Sequence, residues 1–409
     1  MKYDNAIEWL YGTQLFGIKL GLENVSKLLR LLEIEPDSPG VRIVHVAGTN
    51  GKGSVCAFTE KILRDAGLKV GLFTSPHLVS FRERIQVCGE MIPEGAVAES
   101  LADIRNRVED WDIHPTFFEI ALAVAMKHFR ESGCEIVVLE TGMGGRLDAT
   151  NSLKAEVSVI TPISLDHQQW LGETLREVAK EKAGIIKPET PVVVADLHPD
   201  ARDVVGRRAL SLHVPYIEVH PIPEEWPLGL PGPHQRENAA LAVEAACRVG
   251  GDHLTQEGIQ KSLASTEWPG RFQIIDNRIV LDGAHNPDAG KALTATWLEK
   301  FGADEKATII YSAVSSKDVA GTLEHLATIA ERFCFVPVKS ERKLSTEELE
   351  DALEKAGGKD IPTVSFQTLR NALEHAEEHP EKILIAGSLF LVGEALGYLK
   401  RLPFEVSEQ

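Results

Sequence analysis

The sequence predicts an α/β protein of two domains, each with a mostly parallel sheet, and three observations lead there. Short β-branched runs alternate with longer helical patterns along most of the chain. The first of these runs leads through a glycine-rich turn into a helix. A second alternating series then begins after residue 266. With 409 residues the chain is long enough to bury two cores.

In chain order, "VRIVHVAG" (41–48), "KVGLFTS" (69–75), "EIVVLETG" (135–142), "VSVITPIS" (157–164) and "TPVVVAD" (190–196) read as buried strands. Between them, "SVCAFTEKILRDAG" and "FFEIALAVAMKHFRESG" carry helical spacing and stop at glycine. "GETLREVAKEKAGIIKP" predicts a helix with a capping box from Thr174 to Glu177 and a stop at Gly184. A Pro/Gly-rich passage, "EEWPLGLPGPH" (224–234), breaks the alternation before the helical "QRENAALAVEAACRVGG". The second series offers strands at "RIVLDGAH" (278–285), "ATIIYSAV" (307–314), "RFCFVPV" (332–338) and "KILIAGS" (382–388). The domain boundary falls near Thr266–Pro269, dividing 1–267 from 268–409.

Composition is that of a soluble globular protein, 43% apolar and 25% charged. A net charge of −18, from 43 basic and 61 acidic side chains, argues against general nucleic-acid binding or docking on an anionic membrane. Local cations can still hold an anionic substrate. Five scattered cysteines without C-x-x-C spacing suggest neither disulfides nor zinc and fit a reducing cytoplasm. The start "MKYDNAIEWL" does not read as a signal peptide, and no apolar run reaches membrane-spanning length.

"HVAGTNGKGSV" (45–55) departs from the usual phosphate-loop spelling G-x-x-x-x-G-K-[ST]. Val46 stands where the early glycine belongs, and Gly53 separates Lys52 from Ser54. The strand–turn–helix context nevertheless suits a phosphate, which the helix N-terminus and backbone N–H groups would hold. Lys52 can reach β- and γ-phosphates, and Ser54 can ligate Mg²⁺; the alternative is a ligand-free turn. Glu140, at a strand end before Gly142, Gly144 and Gly145, is placed for Mg²⁺ or is simply a solvated carboxylate. Asp166 and His167 follow another strand end, where a histidine can equally be a structural hydrogen-bonder. Lys182 lies in the last turn of its helix, and spacing alone makes it a cation stabilising that end. Arg271 of "WPGRF" can pair with phosphate. Asp282 and His285 of "LDGAHNP" leave a strand, though Asp-Gly and Asn-Pro are also turn dipeptides.

In order along the chain, these motifs resemble the folylpolyglutamate synthase/dihydrofolate synthase family of the Mur ligase superfamily. The likeness runs through "FGIKLGLENV", "AGTNGKGS", "FTSPHL", "RERIQV", "TFFEIA", "ETGMGGRLDATN", "SLDHQQWLG", "EKAGI", "RENA", "WPGRF", "DGAHNP" and "AGSLFLVGE". Within that superfamily the loop is spelled without the early glycine. The resemblance implies a P-loop domain followed by a smaller Rossmann-like domain, with ATP between them. Thr49, Asn50, Gly51, Lys52, Gly53 and Ser54 would hold the phosphates, with Asn238, Arg271 and Asp282 completing the nucleotide site. Mg²⁺ would be held by Ser75, Glu140 and His167, with Ser54 as an additional ligand.

The resemblance also overturns the capping account of Lys182, because the family carbamylates this lysine and a carbamate, unlike an ammonium, can ligate Mg²⁺. It places His285 near the incoming L-glutamate. It sets the pterin-bearing substrate, a folate or dihydropteroate, against Lys19, Leu20, Gly21 and Leu22, against Thr116, Phe117, Phe118 and Glu119, and against Leu147, Asp148 and Ala149. At least one of Phe117 and Phe118 would be core. "GGRLDATN", with Arg146 and Asp148, looks like the bifunctional members. One departure is Ser316-Lys317-Asp318, where the family often has Asp-Lys-Asp.

The implied enzyme is a cytoplasmic, monomeric amide ligase without nucleic-acid or membrane partners. Two other readings stay beside it. A Mur-type peptidoglycan ligase would carry a UDP-binding domain for which the 44 residues before His45 are too few. A nucleotide-binding regulator would not need candidate metal and phosphate ligands in both domains.

Overall fold

The structure, a computed structural model, describes residues 1–16, 21–340 and 342–405. Eight strands form the first sheet: β1 Arg42–Ala47, β2 Val70–Phe73, β3 Ile85–Val87, β4 Glu90–Met91, β5 Ile136–Glu140, β6 Val157–Ile160, β7 Val192–Val194 and β8 Tyr216–Glu218. Their order is β4-β3-β2-β5-β1-β6-β7-β8. All neighbours are parallel except β2–β3 and β3–β4. Alternation sends side chains to two cores, as a strand covered on both faces requires. β1 directs Val44 and Val46 to one and Ile43 to the other, while β5 divides Ile136 and Val138 from Val137 and Leu139.

Six strands form the second sheet: β9 Gln273–Ile275, β10 Ile279–Leu281, β11 Ala307–Tyr311, β12 Ala330–Phe335, β13 Thr363–Ser365 and β14 Lys382–Ala386. The order is β13-β12-β11-β14-β10-β9, and only β9 runs antiparallel to its neighbour. Here too the strands are buried on both faces, with Ile279 and Leu281 on one side and Val280 on the other. The predicted two-domain α/β class is the observed one.

The strands end before the apolar runs that signalled them, because burial continues into the loops; Ile163, beyond β6, is a core residue in a loop. Hydrophobic pattern did not signal β3, β4, β8, β9 or β13, none of which exceeds three residues. The helix predicted around Lys182 spans Leu175–Ala183, with the Thr174–Glu177 capping box present and Gly184 at its end.

Strand order decides what meets at the centre. The neighbours β2, β5, β1 and β6 release Ser75, Glu140, the 48–52 turn and the Asp166–His167 pair from the same edge of the sheet. In the second sheet the neighbours β11, β14 and β10 release Lys317, Ser388 and the Asp282–His285 turn. Ligands in open α/β sheets bind outside these carboxyl ends, and here the two edges line one cleft.

The first domain also inserts a loop into the second. Leu78 and Val79, from the loop after β2, are buried in the second domain's core with Leu391 and Val392. A Cβ on Gly393 would overlap the Leu78 carbonyl oxygen, and backbone cannot move aside as a side-chain tip can. Gly393→Ala should therefore lower unfolding free energy by about 2 kcal/mol, the cost typical of overpacking, read from denaturant unfolding against wild type.

Candidate active site

The 48–51 turn joins β1 to the helix Lys52–Asp65. Gly51 has φ +87°, and a Cβ there would collide with the Asn238 amide, so this position takes only glycine. The turn is fixed from beneath: Thr49 N–H donates to the Pro162 carbonyl at 2.9 Å and its hydroxyl to the Ser164 carbonyl at 3.0 Å. The Thr161 hydroxyl donates to the Asn50 carbonyl at 2.7 Å. From across the cleft, the Asn50 and Asn286 side-chain amides exchange hydrogen bonds at 3.2 and 2.9 Å. Asn286 also caps the helix Pro287–Phe301.

Two lysines converge on one carbonyl. Lys52 Nζ donates to the Gly48 oxygen at 3.2 Å and to that of Thr49 at 3.1 Å. Lys182 Nζ reaches the same Gly48 oxygen at 2.6 Å. Lys182 is buried, and burial, with the Lys52 charge adding to it, pushes its amine down to about 7. Near neutral pH a large fraction of it is the free amine.

Glu140 closes β5 and is buried; its carboxylate accepts the Ser75 N–H at 3.0 Å. Burial raises its pKa while Lys52, that N–H and Arg271 oppose the rise. His167 lies beyond β6 at φ +51°. Burial and then Lys317 push its imidazole down, which leaves a nitrogen lone pair for a ligand. Among the described residues no group of three or more His, Cys, Asp or Glu could hold a metal unaided. The donor set of Glu140, the Ser75 and Ser54 hydroxyls and a neutral His167 suits a hard cation that takes further oxygens from phosphate and water. These residues line the cleft together.

The second domain supplies the facing wall. Asp282 is half-buried and accepts N–H groups of Phe272 and Ala284, both at 2.8 Å. Its carboxylate thus shapes the turn that carries Arg271 and His285. His285 Nδ1 meets the Gly283 carbonyl at 2.7 Å; a carbonyl can only accept, so Nδ1 carries the proton. Nε2 then faces Asp166, 3.7 Å away. Lys317 Nζ pairs with Asp166 at 2.6 Å across the cleft, both side chains 9% exposed. Burial opposes the Asp166 charge, yet His285 and Lys317 hold it well below the ordinary carboxylate range.

The remaining expected residues divide. Lys19 and Leu20 lie outside the described residues. Gly21 lines the cleft, whereas Leu22 packs against the first domain's core. Thr116 and Glu119 line it too but also form a capping box for the helix Phe117–Glu131. Phe117 is 6% exposed, stacked on Tyr11 at 5.6 Å, while Phe118 lies over Gly142. Leu147, Asp148 and Ala149 line the cleft. The Asp148 carboxylate is already engaged, accepting from Met143 N–H at 2.9 Å and from Thr150 N–H at 3.0 Å.

Some cleft residues escaped the sequence reading. Gln235 orients Asn238, whose amide donates to it at 3.0 Å, and neighbours it in the signalled helix. Lys317 was visible only as the middle of "SSKD". Asp166 was noticed beside His167 without a role, because its partners come from 119 and 151 residues away.

Residues 46–212 match the Mur ligase middle domain and residues 270–389 the Mur ligase glutamate ligase domain. The chain is 34% identical to the dihydrofolate synthase/folylpolyglutamate synthase of Bacillus subtilis, over 97% of this chain and 99% of that protein. It is 35% identical to the Escherichia coli protein of the same name, over 93% and 91%. Among solved structures, E. coli FolC in complex with DHPP and ADP superposes with a TM-score of 0.86 at 32% identity, covering 97% of this chain and 98% of that one. Mycobacterium tuberculosis folylpolyglutamate synthase with ADP and AMPPCP gives 0.87 at 27% identity, over 97% and 100%.

The depressed Lys182 amine has a stability consequence of definite sign. Between about pH 7 and the ordinary lysine value near 10.5 the unfolded chain binds the extra proton, so raising pH stabilises the fold. Relative to Lys182→Met, wild type should gain about 3 kcal/mol from pH 7 to pH 10. Denaturant unfolding of both proteins in carbonate-free buffer with a chelator measures it; parallel pH profiles would remove the argument.

Proposed function

The chain belongs to the dihydrofolate synthase/folylpolyglutamate synthase family of Mur ligases, and on that premise we infer that its central cleft joins L-glutamate to folates and to dihydropteroate. The enzyme is an ATP-dependent ligase that forms an amide bond. The observation that carries the assignment to this cleft is the convergence of Lys52 and Lys182 on the turn that faces Arg271, Asp282 and His285.

The substrate carboxylate attacks the γ-phosphate of ATP, giving an acyl phosphate and ADP; the glutamate amine then displaces phosphate through a tetrahedral intermediate. Backbone N–H groups at the start of the helix Lys52–Asp65 and the Lys52 ammonium meet the phosphates. Arg271 adds positive charge from the facing domain, and Asn238, held by Gln235, completes the nucleotide site. His285, with Nδ1 fixed on Gly283, presents Nε2 beside Asp166 toward the incoming L-glutamate. Phe118, Gly21 and Leu147–Ala149 form the wall for the pterin end.

Ser75, Glu140 and His167, with Ser54, would hold Mg²⁺. Bound there, the ion would neutralise phosphate charge and polarise phosphoryl oxygens. Lys182 joins this set only as a carbamate; its amine is buried and pushed down to about 7, and the free amine is the form that reacts with carbon dioxide. The reading carries a monomeric, cytoplasmic enzyme.

ADP release should require L-glutamate together with dihydropteroate or a reduced folate; equal release without any pterin would sink the ligase assignment. Lys182→Ala should cut kcat by about a hundredfold or more while retaining the fold. In wild type, labelled bicarbonate should give a carbamate carbon resonance that this variant lacks. Near-normal turnover in the variant would leave Lys182 a buried support of the Gly48 turn, without a place among the metal ligands.

A further inference from the structure

The loop between Ser75 and Arg84 would leave a row of backbone donors unpaired, and two carboxylates take them. Glu83, inside the loop, accepts the N–H groups of Leu78, Val79 and Ser80 at 2.7, 2.9 and 2.8 Å. The next donor, Phe81 N–H, goes to Glu405 at 2.7 Å. Glu405 comes from the far end of the chain. Its other oxygen accepts from the Tyr3 hydroxyl at 3.1 Å and from Ser80 Oγ at 3.5 Å. Its own N–H donates to the Val79 carbonyl at 2.8 Å. Behind it, Phe404 packs near Gly397 and Lys339 of the second domain.

This short segment therefore ties three things together. It follows the helix Leu389–Lys400 of the second domain. It bonds Tyr3, from the first helix of the chain. It holds the loop whose first residue donates its N–H to Glu140 and whose last, Arg84, is fully buried with Nε donating to His77 at 2.7 Å. Leu78 and Val79 between them are set into the second domain's core.

We propose that Glu405 is a positioning residue for the ligase reaction: it clamps the Ser75–Arg84 loop between the domains, so that Ser75 and Glu140 keep their places only while the second domain is docked. Tyr3, Ser80, Val79 and Phe81 form the receiving side. The proposal rests on the ligase reading only for its kinetic arm, since the clamp is also visible without turnover.

Glu405→Ala should lower kcat/KM for ATP about tenfold and raise the Mg²⁺ concentration needed for half-maximal rate. Glu405→Gln keeps an acceptor for Phe81 N–H and should recover most of both. Glu405→Asp keeps the charge but shortens the reach; it should show the same change at smaller size, and it carries the test if the alanine variant does not fold. Independently of any activity, amide hydrogen exchange at Ser80–Arg84 should speed up in the alanine and aspartate variants while protection in β1 and β5 stays as in wild type. Wild-type kcat/KM and Mg²⁺ dependence in folded Glu405→Ala, or unchanged exchange at Phe81, overturns the proposal. Faster exchange in a protein that turns over no pterin would instead leave the clamp standing and discard the ligase reading.

Discussion

The Gly48 carbonyl oxygen receives two lysines, Lys52 from the next turn of chain and Lys182 from a helix 134 residues away. Burial of Lys182, with repulsion from the nearby Lys52 charge added to it, pushes its amine down to about 7. Much of the site follows from this constraint. Glu140, buried nearby, answers part of the positive charge that these lysines bring. A chain of net charge −18 thus keeps a locally cationic centre without a cationic surface.

Across the cleft the charges are arranged in the opposite sense. Asp166 of the first domain is held ionised by Lys317 and His285 of the second, and neither domain alone contains that pair. The Asn50–Asn286 amide exchange joins the phosphate loop to the same opposing turn. Docking of the domains and assembly of the chemistry are consequently one event. The burial of Leu78 and Val79 in the partner domain's core, with Glu405 over them, gives that docking a hydrophobic anchor and a polar latch.

The departure at Ser316-Lys317-Asp318 is absorbed without loss of structure. Asp318 caps the helix Val319–Leu326 through Gly321 N–H at 3.0 Å, and Lys317 still crosses to Asp166. Similarly, Thr116 with Glu119, and Asp148 with Met143 and Thr150, show that residues of the expected pterin wall shape their own loops first. Carboxylates so committed act on a ligand through the loop they hold.

The α/β class, the buried strands on either side of the phosphate turn, the capping box at Thr174 and the glycine stop at Gly184 were all legible in the sequence. Each depends on residues within a few positions of one another, where periodicity and local hydrogen bonding are decisive. The short strands β3, β4, β8, β9 and β13 were not legible, since two or three residues carry no period and are stabilised by neighbouring strands. The fate of Lys182 shows the division most clearly. Its spacing placed it correctly in the last turn of a helix, but spacing could not tell a solvated capping cation from a buried amine beside Lys52. Local pattern determined the elements and the glycine turn after β1. Only the tertiary structure decided which distant charges share the cleft, because desolvation and Coulomb interaction depend on distance in space and not along the chain.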